Sequence, residues 1–216
     1  MKPLAIDLFC GLGGWTDGLL AASYHVIGFD IEQHVYGDAR YPGHLVLQDV
    51  LTLHGSQFRD AALIVASPPC QDFSYMAMPW SLAKAKAAAI RADKTGQMQA
   101  DLTRLFDACF RIQREACEAA GRHIPLVVEN VRGAQPWVGR ARWNFGSFYL
   151  WGDVPALMPI LGKQAEGIKQ GGTWWHDEGS ISRTTGSKSP ARKAASAMIA
   201  KIPRALSQYI GEVYRP

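Results

Sequence analysis

Long apolar runs are missing from this sequence of 216 residues. No stretch reaches the ~18 to 20 uninterrupted apolar residues that a membrane-spanning helix requires. The amino terminus leads straight into a short apolar run that ends at Asp7, without the charged and apolar regions of a secretory signal. We therefore expect a cytoplasmic protein with no membrane partner.

Cysteine is scarce too, and its spacing is not that of a metal site. The sequence has four cysteines, Cys10, Cys70, Cys109 and Cys117. None belongs to a Cys-x-x-Cys pair, and no histidine lies at zinc-ligand spacing from them. We therefore expect no metal centre, and reduced thiols in place of disulfides.

A large excess of one charge is absent as well, so charge excludes few classes of protein. The net charge is +4 at pH 7, which favours polyanionic partners only mildly. The hydrophobic content of 48% and the charged content of 19% are typical of a globular protein. The length fits one domain, with or without a small appendage.

Short apolar runs alternate with helical patterns in the first part of the chain. Each run ends in polar, glycine or proline residues, and the runs are residues 4–9, 25–29, 44–48, 62–66 and 124–128. Such alternation predicts an α/β fold, in which helices cover a mostly parallel sheet. Ligands of such folds bind beyond the carboxyl ends of the strands.

Helical periodicity is clearest over residues 98–120, where apolar residues recur every three or four positions. Residues 191–214 show a second helical pattern, which Pro203 interrupts. Residues 75–97 lack an apolar stripe and carry four basic side chains among alanines, which predicts a mobile basic segment. Residues 163–190 are rich in glycine, serine and threonine and continue neither pattern.

A glycine-rich turn follows the first apolar run. Its glycines, Gly11, Gly13 and Gly14, allow a nucleotide-like ligand to approach the backbone closely. Asp30 ends the second run, where it can accept hydrogen bonds from ribose hydroxyls, and Asp49 follows the third, where it can contact an adenine amino group. Together these residues indicate a nucleoside site, although a glycine turn also occurs without any ligand.

A cysteine follows the fourth run on a rigid turn. In Ser-Pro-Pro-Cys-Gln, residues 67–71, two prolines hold the Cys70 thiol at the edge of the sheet. A lone cysteine is usually a small buried hydrophobe, whereas one presented on such a turn is better interpreted as a nucleophile. Glu129 ends another run at the same edge, either as the proton-handling partner or as a solvated loop carboxylate. Asn130 beside it favours a fixed polar cluster.

Three segments together resemble the motifs of the cytosine-C5 DNA methyltransferase family. They are Asp-Leu-Phe-Cys-Gly-Leu-Gly-Gly at residues 7–14, Pro-Pro-Cys-Gln at 68–71 and Glu-Asn-Val at 129–131. They occur in the family's order, and each lies at the end of a predicted strand. Arg-Ala-Arg at residues 140–142 resembles the family's later Arg-x-Arg motif, so that the similarity covers about residues 1–150.

The resemblance implies a Rossmann-like S-adenosylmethionine-dependent methyltransferase fold with a small recognition insert. We expect a catalytic and cofactor-binding domain over residues 1–150 and a reduced target-recognition region over residues 151–190. Residues 191–216 are expected to return to the catalytic domain as a C-terminal helix.

The resemblance also assigns the chemistry. Cys70 is expected to add to carbon 6 of a flipped cytosine in double-stranded DNA, and Glu129 to hydrogen-bond or protonate the ring nitrogen. Arg142 would hold the carbonyl oxygen of the base, with Arg140 near the nucleophile or a phosphate. Residues 75–97 would form a lid over the nucleotide. Further substrate contacts are expected from Gln71, Ser74, Lys84, Lys86 and Asn130.

The implied cofactor is S-adenosyl-L-methionine, with S-adenosyl-L-homocysteine as the product. The residues that match the family's cofactor site surround the glycine turn and the ends of the following strands. They are Phe9, Gly11, Leu12, Gly14, Asp30, Ile31, Asp49, Val50 and Pro69. Asp30 matches the ribose acid, and Pro69 is expected to face the methionine end.

The last third of the sequence departs from the family's pattern. Ser-Ala-Met-Ile at residues 196–199 replaces the expected Gly-Asn pair, and Val138 replaces the glutamine before the arginines. Because the recognition region is short, we expect a short or relaxed target site. Six basic residues and no acid lie within residues 179–211, where they either grip phosphates or form a solvated face. Trp174 and Trp175 either stack on bases or pack in a small core.

Three alternatives remain open. The same chemistry on tRNA cytosine agrees with the reduced recognition region, because a related branch of the family methylates tRNA. A catalytically silent subunit that binds cofactor or DNA agrees with the missing Gly-Asn pair, although the nucleophile, the acid and both arginines are present. A partner chain could also supply recognition. Otherwise we expect a monomer of bacterial or phage origin.

Overall fold

Strands and helices alternate along the computed structural model, which describes residues 1–74, 79–158 and 189–216. The strands are β1 (Leu4–Leu8), β2 (His25–Asp30), β3 (Val35–Tyr36), β4 (Ala39–Arg40), β5 (His44–Leu47), β6 (Ala61–Ala66), β7 (Leu126–Asn130), β8 (Trp143–Phe145) and β9 (Phe148–Gly152). The helices are α1 (Gly14–Ala21), α2 (Trp80–Ala92), α3 (Gln97–Ala120), α4 (Gln135–Val138), α5 (Pro190–Ala200) and α6 (Arg204–Val213). The five strands that the sequence predicts are all present.

Seven of these strands form one sheet in the order β5-β2-β1-β6-β7-β9-β8. The pairs from β5 to β7 are parallel, whereas β9 is antiparallel to both β7 and β8. The carboxyl ends of β1, β2, β6 and β7 therefore share one edge. This architecture confirms the predicted α/β class and the Rossmann-like arrangement of a mostly parallel sheet.

Each face of the sheet has its own core, because successive side chains of a strand point to opposite faces. Ile6, Ile64 and Leu126 belong to the core that α3 covers. Leu63 and Val127, in neighbouring positions, belong to the core that α1 and α6 cover. Burial on both faces explains why the predicted strands are continuous apolar runs.

Helix α3 has the apolar face that the sequence predicts. Phe106, Cys109, Ile112 and Ala116 are buried and lie three or four positions apart. The helix ends at Gly121, whose φ of 63° is favourable for glycine. Neither α3 nor any other helix in the described ranges is long and apolar enough to cross a membrane.

The C-terminal helix α6 packs directly against α1. Gly18 of α1 allows this approach, because a Cβ there would lie 2.0 Å from Ser207 Oγ and 2.3 Å from the backbone nitrogen of Gln208. Pro203 immediately precedes α6 and separates it from α5, as the sequence predicts.

The prediction of a mobile basic segment was wrong for most of residues 75–97, because helix α2 occupies Trp80–Ala92. Alanine has the highest helix propensity, so an alanine-rich segment can be helical without a continuous apolar stripe. The buried residues of α2 are Ala83 and Ile90, two turns apart on one side of the helix. Residues 75–78 of the segment lie outside the described residues.

The hairpin of β8 and β9 was not predicted, although its sequence carries a signal. Aromatic residues such as Trp143, Phe145 and Phe148 favour strands, and Phe145 pairs with Phe148 across a two-residue turn. The first residue of that turn, Gly146, has a φ of 56°, as tight hairpins often require. The short run and the tertiary pairing with β7 explain why periodicity alone missed it.

A buried polar cluster joins β1 to α1 beneath the glycine turn. The Thr16 hydroxyl donates to Asp7 Oδ2 at 2.7 Å and lies 2.7 Å from the Tyr41 hydroxyl. Asp7 is 1% exposed, and its Oδ1 has no hydrogen-bond partner among the described residues. Because burial disfavours the carboxylate form, it raises the pKa of Asp7 to about 8.

Substitution of Gly18 by alanine is expected to separate α1 from α6. The added methyl group would overlap backbone as well as side-chain atoms of α6, and such overpacking costs about 1–3 kcal/mol. Urea unfolding followed by circular dichroism should show a lower midpoint. The control is Leu20→Ala, on the exposed side of α1, which should change the free energy of unfolding by less than about 0.5 kcal/mol. Equal stability of the two variants would contradict this packing.

Ionisation of Asp7 is expected to make the protein less stable as the pH rises. The folded state keeps a proton that the unfolded chain releases, so the contribution of Asp7 is complete below pH 3.8 and is lost as the pH passes about 8. Asp7→Asn should flatten this decline in urea unfolding measured at a series of pH values. Asp60→Asn, at a side chain that is 85% exposed, should retain it. A decline that persists in Asp7→Asn would rule out Asp7 as its source.

Candidate active site

The carboxyl edge of the sheet gathers the predicted motifs. The glycine turn follows β1, Asp30 ends β2, the turn of Cys70 follows β6, and Glu129 lies near the end of β7. Since β2, β1, β6 and β7 are successive parallel neighbours, these features lie side by side. The structure therefore brings the three motifs of residues 7–14, 68–71 and 129–131 to one edge.

The turn after β1 has a backbone conformation that favours glycine. Phe9, Gly11 and Gly13 have positive φ angles of 58°, 50° and 73°, a region where other residues are uncommon. A Cβ on Gly13 would lie 2.4 Å from Pro42 Cδ, whereas one on Gly11 would meet no atom within 4 Å. Leu12 between them is buried. Gly11 is therefore the position where the turn opens to a ligand.

Asp30 holds the glycine turn and the loop after β2 with one carboxylate. Its Oδ2 accepts a hydrogen bond from the Gly11 amide at 2.8 Å, and its Oδ1 accepts one from the Ile31 amide at 2.8 Å. Ile31 is 73% exposed and presents an apolar side chain beside the acid. A carboxylate, an open glycine turn and an exposed apolar residue are suitable partners for the ribose and adenine of a nucleoside.

Other residues predicted for the cofactor make contacts within the protein. Asp49 Oδ1 accepts a hydrogen bond from the Leu51 amide at 2.9 Å. Val50 is buried in the core that α3 covers. A Cβ on Gly14 would lie 2.3 Å from the Ile202 backbone nitrogen. Packing therefore accounts for Val50 and Gly14 without a ligand, and their cofactor contacts stay predictions.

Cys70 lies on a compact turn after β6. Its carbonyl accepts hydrogen bonds from the Phe73 and Ser74 amides at 3.0 and 2.9 Å. Cys70 is half-buried, while Pro69 and Gln71 on either side are exposed. The turn therefore presents its cysteine at an accessible edge and fixes the backbone that carries it.

Two hydrogen bonds fasten this turn to its neighbours. Trp15 at the start of α1 donates from Nε1 to Ser67 Oγ at 3.1 Å. Asn130 at the end of β7 donates from Nδ2 to the carbonyl of Pro68 at 2.9 Å. Neither hydrogen bond was predicted from the sequence, although Trp15 and Ser67 each lie next to one of the three sequence motifs. The turn of Cys70 is thus joined to α1, after the glycine turn, on one side and to the Glu-Asn-Val strand on the other.

Glu129 is a buried strand residue, not a solvated loop carboxylate. It is 6% exposed and pairs with Leu150 across β7 and β9. The adjacent Asn130 is 1% exposed, and its Oδ1 accepts a hydrogen bond from the Val131 amide at 2.8 Å. The polar cluster that the sequence favours is present, while the contact of Asn130 with substrate stays a prediction.

Helix α2 lies over the loop that follows Cys70. Lys86 Nζ pairs with Asp72 Oδ1 at 2.5 Å, and Ser74 lines a small cavity between this loop and the helix. Lys84 Nζ lies 5.7 Å from the centre of the Trp80 ring. Both lysines predicted to contact substrate are therefore on the helix nearest the nucleophile turn, and both contact neighbouring side chains.

Arg140 and Arg142 lie in the segment between α4 and β8. Both are exposed and line a groove of about 680 Å³ between α3 and β9, and neither Cys70 nor Glu129 lines this groove. The arginines precede β8, which runs in the same direction as β7. Trp143 at the start of β8 shares its β9 partner, Leu150, with Glu129, so Arg142 is next to the level of Glu129 in the sheet. The structure brings Cys70 and Glu129 to one edge, and the contacts of the arginines with substrate stay predictions.

Much of the predicted recognition region lies outside the described residues. Four side chains singled out in the sequence fall there, Trp174, Trp175, Arg183 and Lys188. Lys201, one of the six basic residues, pairs with Asp17 of α1 at 2.6 Å and so helps to hold the C-terminal segment against α1. Residues 196–199, which replace the Gly-Asn pair, lie in α5.

Several solved structures are similar to the chain over part of their length. A protein from an Escherichia coli prophage, described as a DNA modification methyltransferase, shares 23% identity, with 62% of this chain and 33% of that chain covered and a TM-score of 0.40. The Dnmt2 methyltransferase of S. pombe shares 17% identity, with 64% and 37% covered and a TM-score of 0.39. The chain thus spans about a third of the length of these proteins.

Similarity to a known family is found in the first half of the sequence. No curated protein matches the chain. Residues 4–104, however, match the sequence profile of the family described as C-5 cytosine-specific DNA methylase. This range contains the glycine turn, Asp30 and the turn of Cys70, whose positions at one edge of the sheet are given above. Through these residues, the first half of the chain is similar to the family of C-5 cytosine-specific DNA methylases.

Proposed function

We propose that the protein transfers a methyl group from S-adenosylmethionine to carbon 5 of cytosine in DNA, through a covalent adduct of the base with Cys70. The observation that carries this proposal is the hydrogen bond from Asn130 to the carbonyl of Pro68, which ties the nucleophile turn to the strand of Glu129. The family of residues 4–104 supports the same chemistry. A thiol and a buried carboxyl at one edge are the groups that this reaction needs.

The proposed reaction begins with activation of the cytosine ring, because carbon 5 is a poor nucleophile. The Cys70 thiolate forms a bond to carbon 6, and the ring electrons move toward carbon 5. A hydrogen bond or proton from Glu129 to the ring nitrogen relieves the developing charge. S-adenosylmethionine, when bound, supplies the methyl group. A base then removes the proton from carbon 5, and the Cys70 sulfur leaves.

The carboxyl ends of β1 and β2 are the proposed cofactor site. Gly11 would let the cofactor approach the backbone, and Asp30 has lone pairs left to accept ribose hydroxyls. The exposed side chain of Ile31 would pack against adenine, with Asp49 near its amino group. Pro69, exposed beside the nucleophile, would face the methionine end. These assignments agree with the exposure of Gly11 and Ile31 described above.

The target base must leave the helical stack before Cys70 can reach it, at a cost of a few kcal/mol. We propose that α2 closes on the flipped nucleotide. Lys84 and Lys86 would then exchange their contacts with Trp80 and Asp72 for contacts with phosphate. Arg140 and Arg142 line a groove between α3 and β9, and the contact of Arg142 with the base stays a prediction.

RNA is the second candidate substrate, which the short recognition region favours. Competition between duplex DNA and tRNA for methyl transfer separates the two substrates, and preferential labelling of tRNA would replace DNA in the proposal. Single-base sequencing of methylated DNA tests the expected relaxed target site, and a long, strictly specified site would contradict it. A catalytically silent subunit would bind the cofactor and label neither nucleic acid.

Removal of the nucleophile is expected to abolish methyl transfer. With S-adenosylmethionine carrying a labelled methyl group, Cys70→Ala should lower the rate of transfer to DNA by more than about 1,000-fold. The matched control is Cys117→Ser, because Cys117 is on α3 and contacts the backbone of Ile124. The control should retain transfer.

A second readout identifies the covalent bond itself. In a duplex with 5-fluorocytosine and with S-adenosylmethionine present, carbon 5 would carry methyl and fluorine and no proton to remove, so the Cys70 adduct should persist through denaturing electrophoresis. Glu129→Gln should form this adduct more slowly than the parent protein, because an amide is a poor proton donor. Adduct formation by Cys70→Ala would disprove the assignment of the nucleophile.

Loss of the Asp30 carboxylate is expected to weaken cofactor binding. A hydrogen bond to a charged group contributes about 1.5–3 kcal/mol, so Asp30→Ala should raise the Kd for S-adenosylmethionine by about 10- to 100-fold in calorimetric titration. Glu32→Ala is the control, because its side chain is close by and 70% exposed. An equal effect of both variants would show that Asp30 has no particular role.

A further inference from the structure

The groove between α3 and β9 is a second candidate binding site, beside the one at the carboxyl edge of the sheet. Its volume is about 680 Å³, and Phe106, Phe110 and Trp151 line its apolar part. Phe106 and Trp151 pack edge to face and are buried, so their rings are not available to stack on a ligand. The ligand chemistry of the groove must therefore come from its charged side chains.

The acids of this groove are engaged within the protein. Asp153 Oδ2 accepts hydrogen bonds from Gln113 Nε2 at 2.8 Å and from the Leu126 amide at 2.9 Å. Asp107 Oδ2 accepts one from the Thr103 hydroxyl at 2.6 Å. Neither carboxylate pairs with an arginine among the described residues.

The arginines of the groove differ in whether they form an ion pair within the described part of the protein. Arg111 pairs with Glu115 at 3.0 Å and donates to the carbonyl of Leu53 at 2.9 Å. Arg114, Arg140 and Arg142 are exposed, and none of the three forms an ion pair within the described part of the chain. The groove therefore has three guanidinium groups without a carboxylate partner, on two opposing walls.

The position of the groove connects it to the catalytic edge. At one end, Arg140 follows α4, whose Trp137 ring stacks with Arg91 of α2 at 5.3 Å. Trp137 also accepts a hydrogen bond at its carbonyl from Gln99 at 3.1 Å. The groove thus begins where α4 meets the helix over the nucleophile turn, and it runs down α3 toward Asp153.

We propose that this groove binds the phosphodiester backbone of the nucleic acid substrate through Arg114, Arg140 and Arg142. A guanidinium group matches two phosphate oxygens in a fork geometry, and three groups along one groove suit successive phosphates better than a single anion. The inference rests on the proposed function for the identity of the polyanion.

Salt dependence of binding tests this proposal, because each phosphate contact contributes a slope of about one to the plot of log affinity against log salt. The measurement is fluorescence anisotropy of a labelled DNA duplex and of a labelled tRNA, between about 50 and 200 mM salt. Arg114→Gln/Arg140→Gln/Arg142→Gln should reduce the slope by about two to three and weaken binding at least about 10-fold.

Two matched variants control for net charge and for folding. Lys2→Gln/Arg40→Gln/Arg59→Gln removes the same charge from exposed positions outside the groove and should change the slope by less than about one. Arg114→Lys/Arg140→Lys/Arg142→Lys keeps the charge and should keep most of the slope. Thermal unfolding of each variant confirms that it is folded.

The outcomes separate this inference from the proposed function. A reduced slope for the duplex, for tRNA or for both supports the groove and identifies the nucleic acid that it binds. The inference would be overturned if the slope of the groove variant were unchanged, or if the variant outside the groove lost as much. It would also be overturned if polyglutamate displaced the labelled nucleic acid from the protein as effectively as unlabelled nucleic acid does. Methyl transfer is measured separately, so a protein that binds through the groove without methylating would contradict the proposed function alone.

Discussion

Parallel pairing of β2, β1, β6 and β7 is the constraint on which the rest of the structure depends. Four parallel neighbours end at one edge, and so segments that are far apart in the chain become adjacent there. Gly11 and Cys70 follow strands that pair directly, and Glu129 lies on the next strand. A change of register in any of these pairs would move the nucleophile turn relative to both of its neighbours.

Polar side chains then hold this edge in one arrangement. Asp30 accepts hydrogen bonds from the glycine turn, and Asn130 donates one to the nucleophile turn. Both residues are buried, where a lost hydrogen bond costs more than it does at the surface. Buried Asp7 accepts a hydrogen bond from Thr16 of α1 and so supports the glycine turn between β1 and α1. The rigidity of the candidate site therefore comes from a few directed bonds added to the packing of the two cores.

Charge divides the surface around this edge into two parts. Close to the nucleophile, the lysines of α2 contact side chains of the protein, so that a nucleic acid would have to compete with those contacts. Between α3 and β9, Arg114, Arg140 and Arg142 line a groove whose acids accept hydrogen bonds from other residues of the protein.

The sequence by itself determined the α/β class, the order of the strands that carry the motifs, and Cys70 with Glu129 as neighbours at one edge. Apolar runs and parallel topology are local or nearly local properties, so they can be interpreted without coordinates. Only the tertiary structure decided that α2 is a packed helix, that β8 and β9 extend the sheet, and that Arg140 and Arg142 line a groove between α3 and β9. Each of these depends on contacts between segments distant in the chain, and local propensity does not encode such contacts.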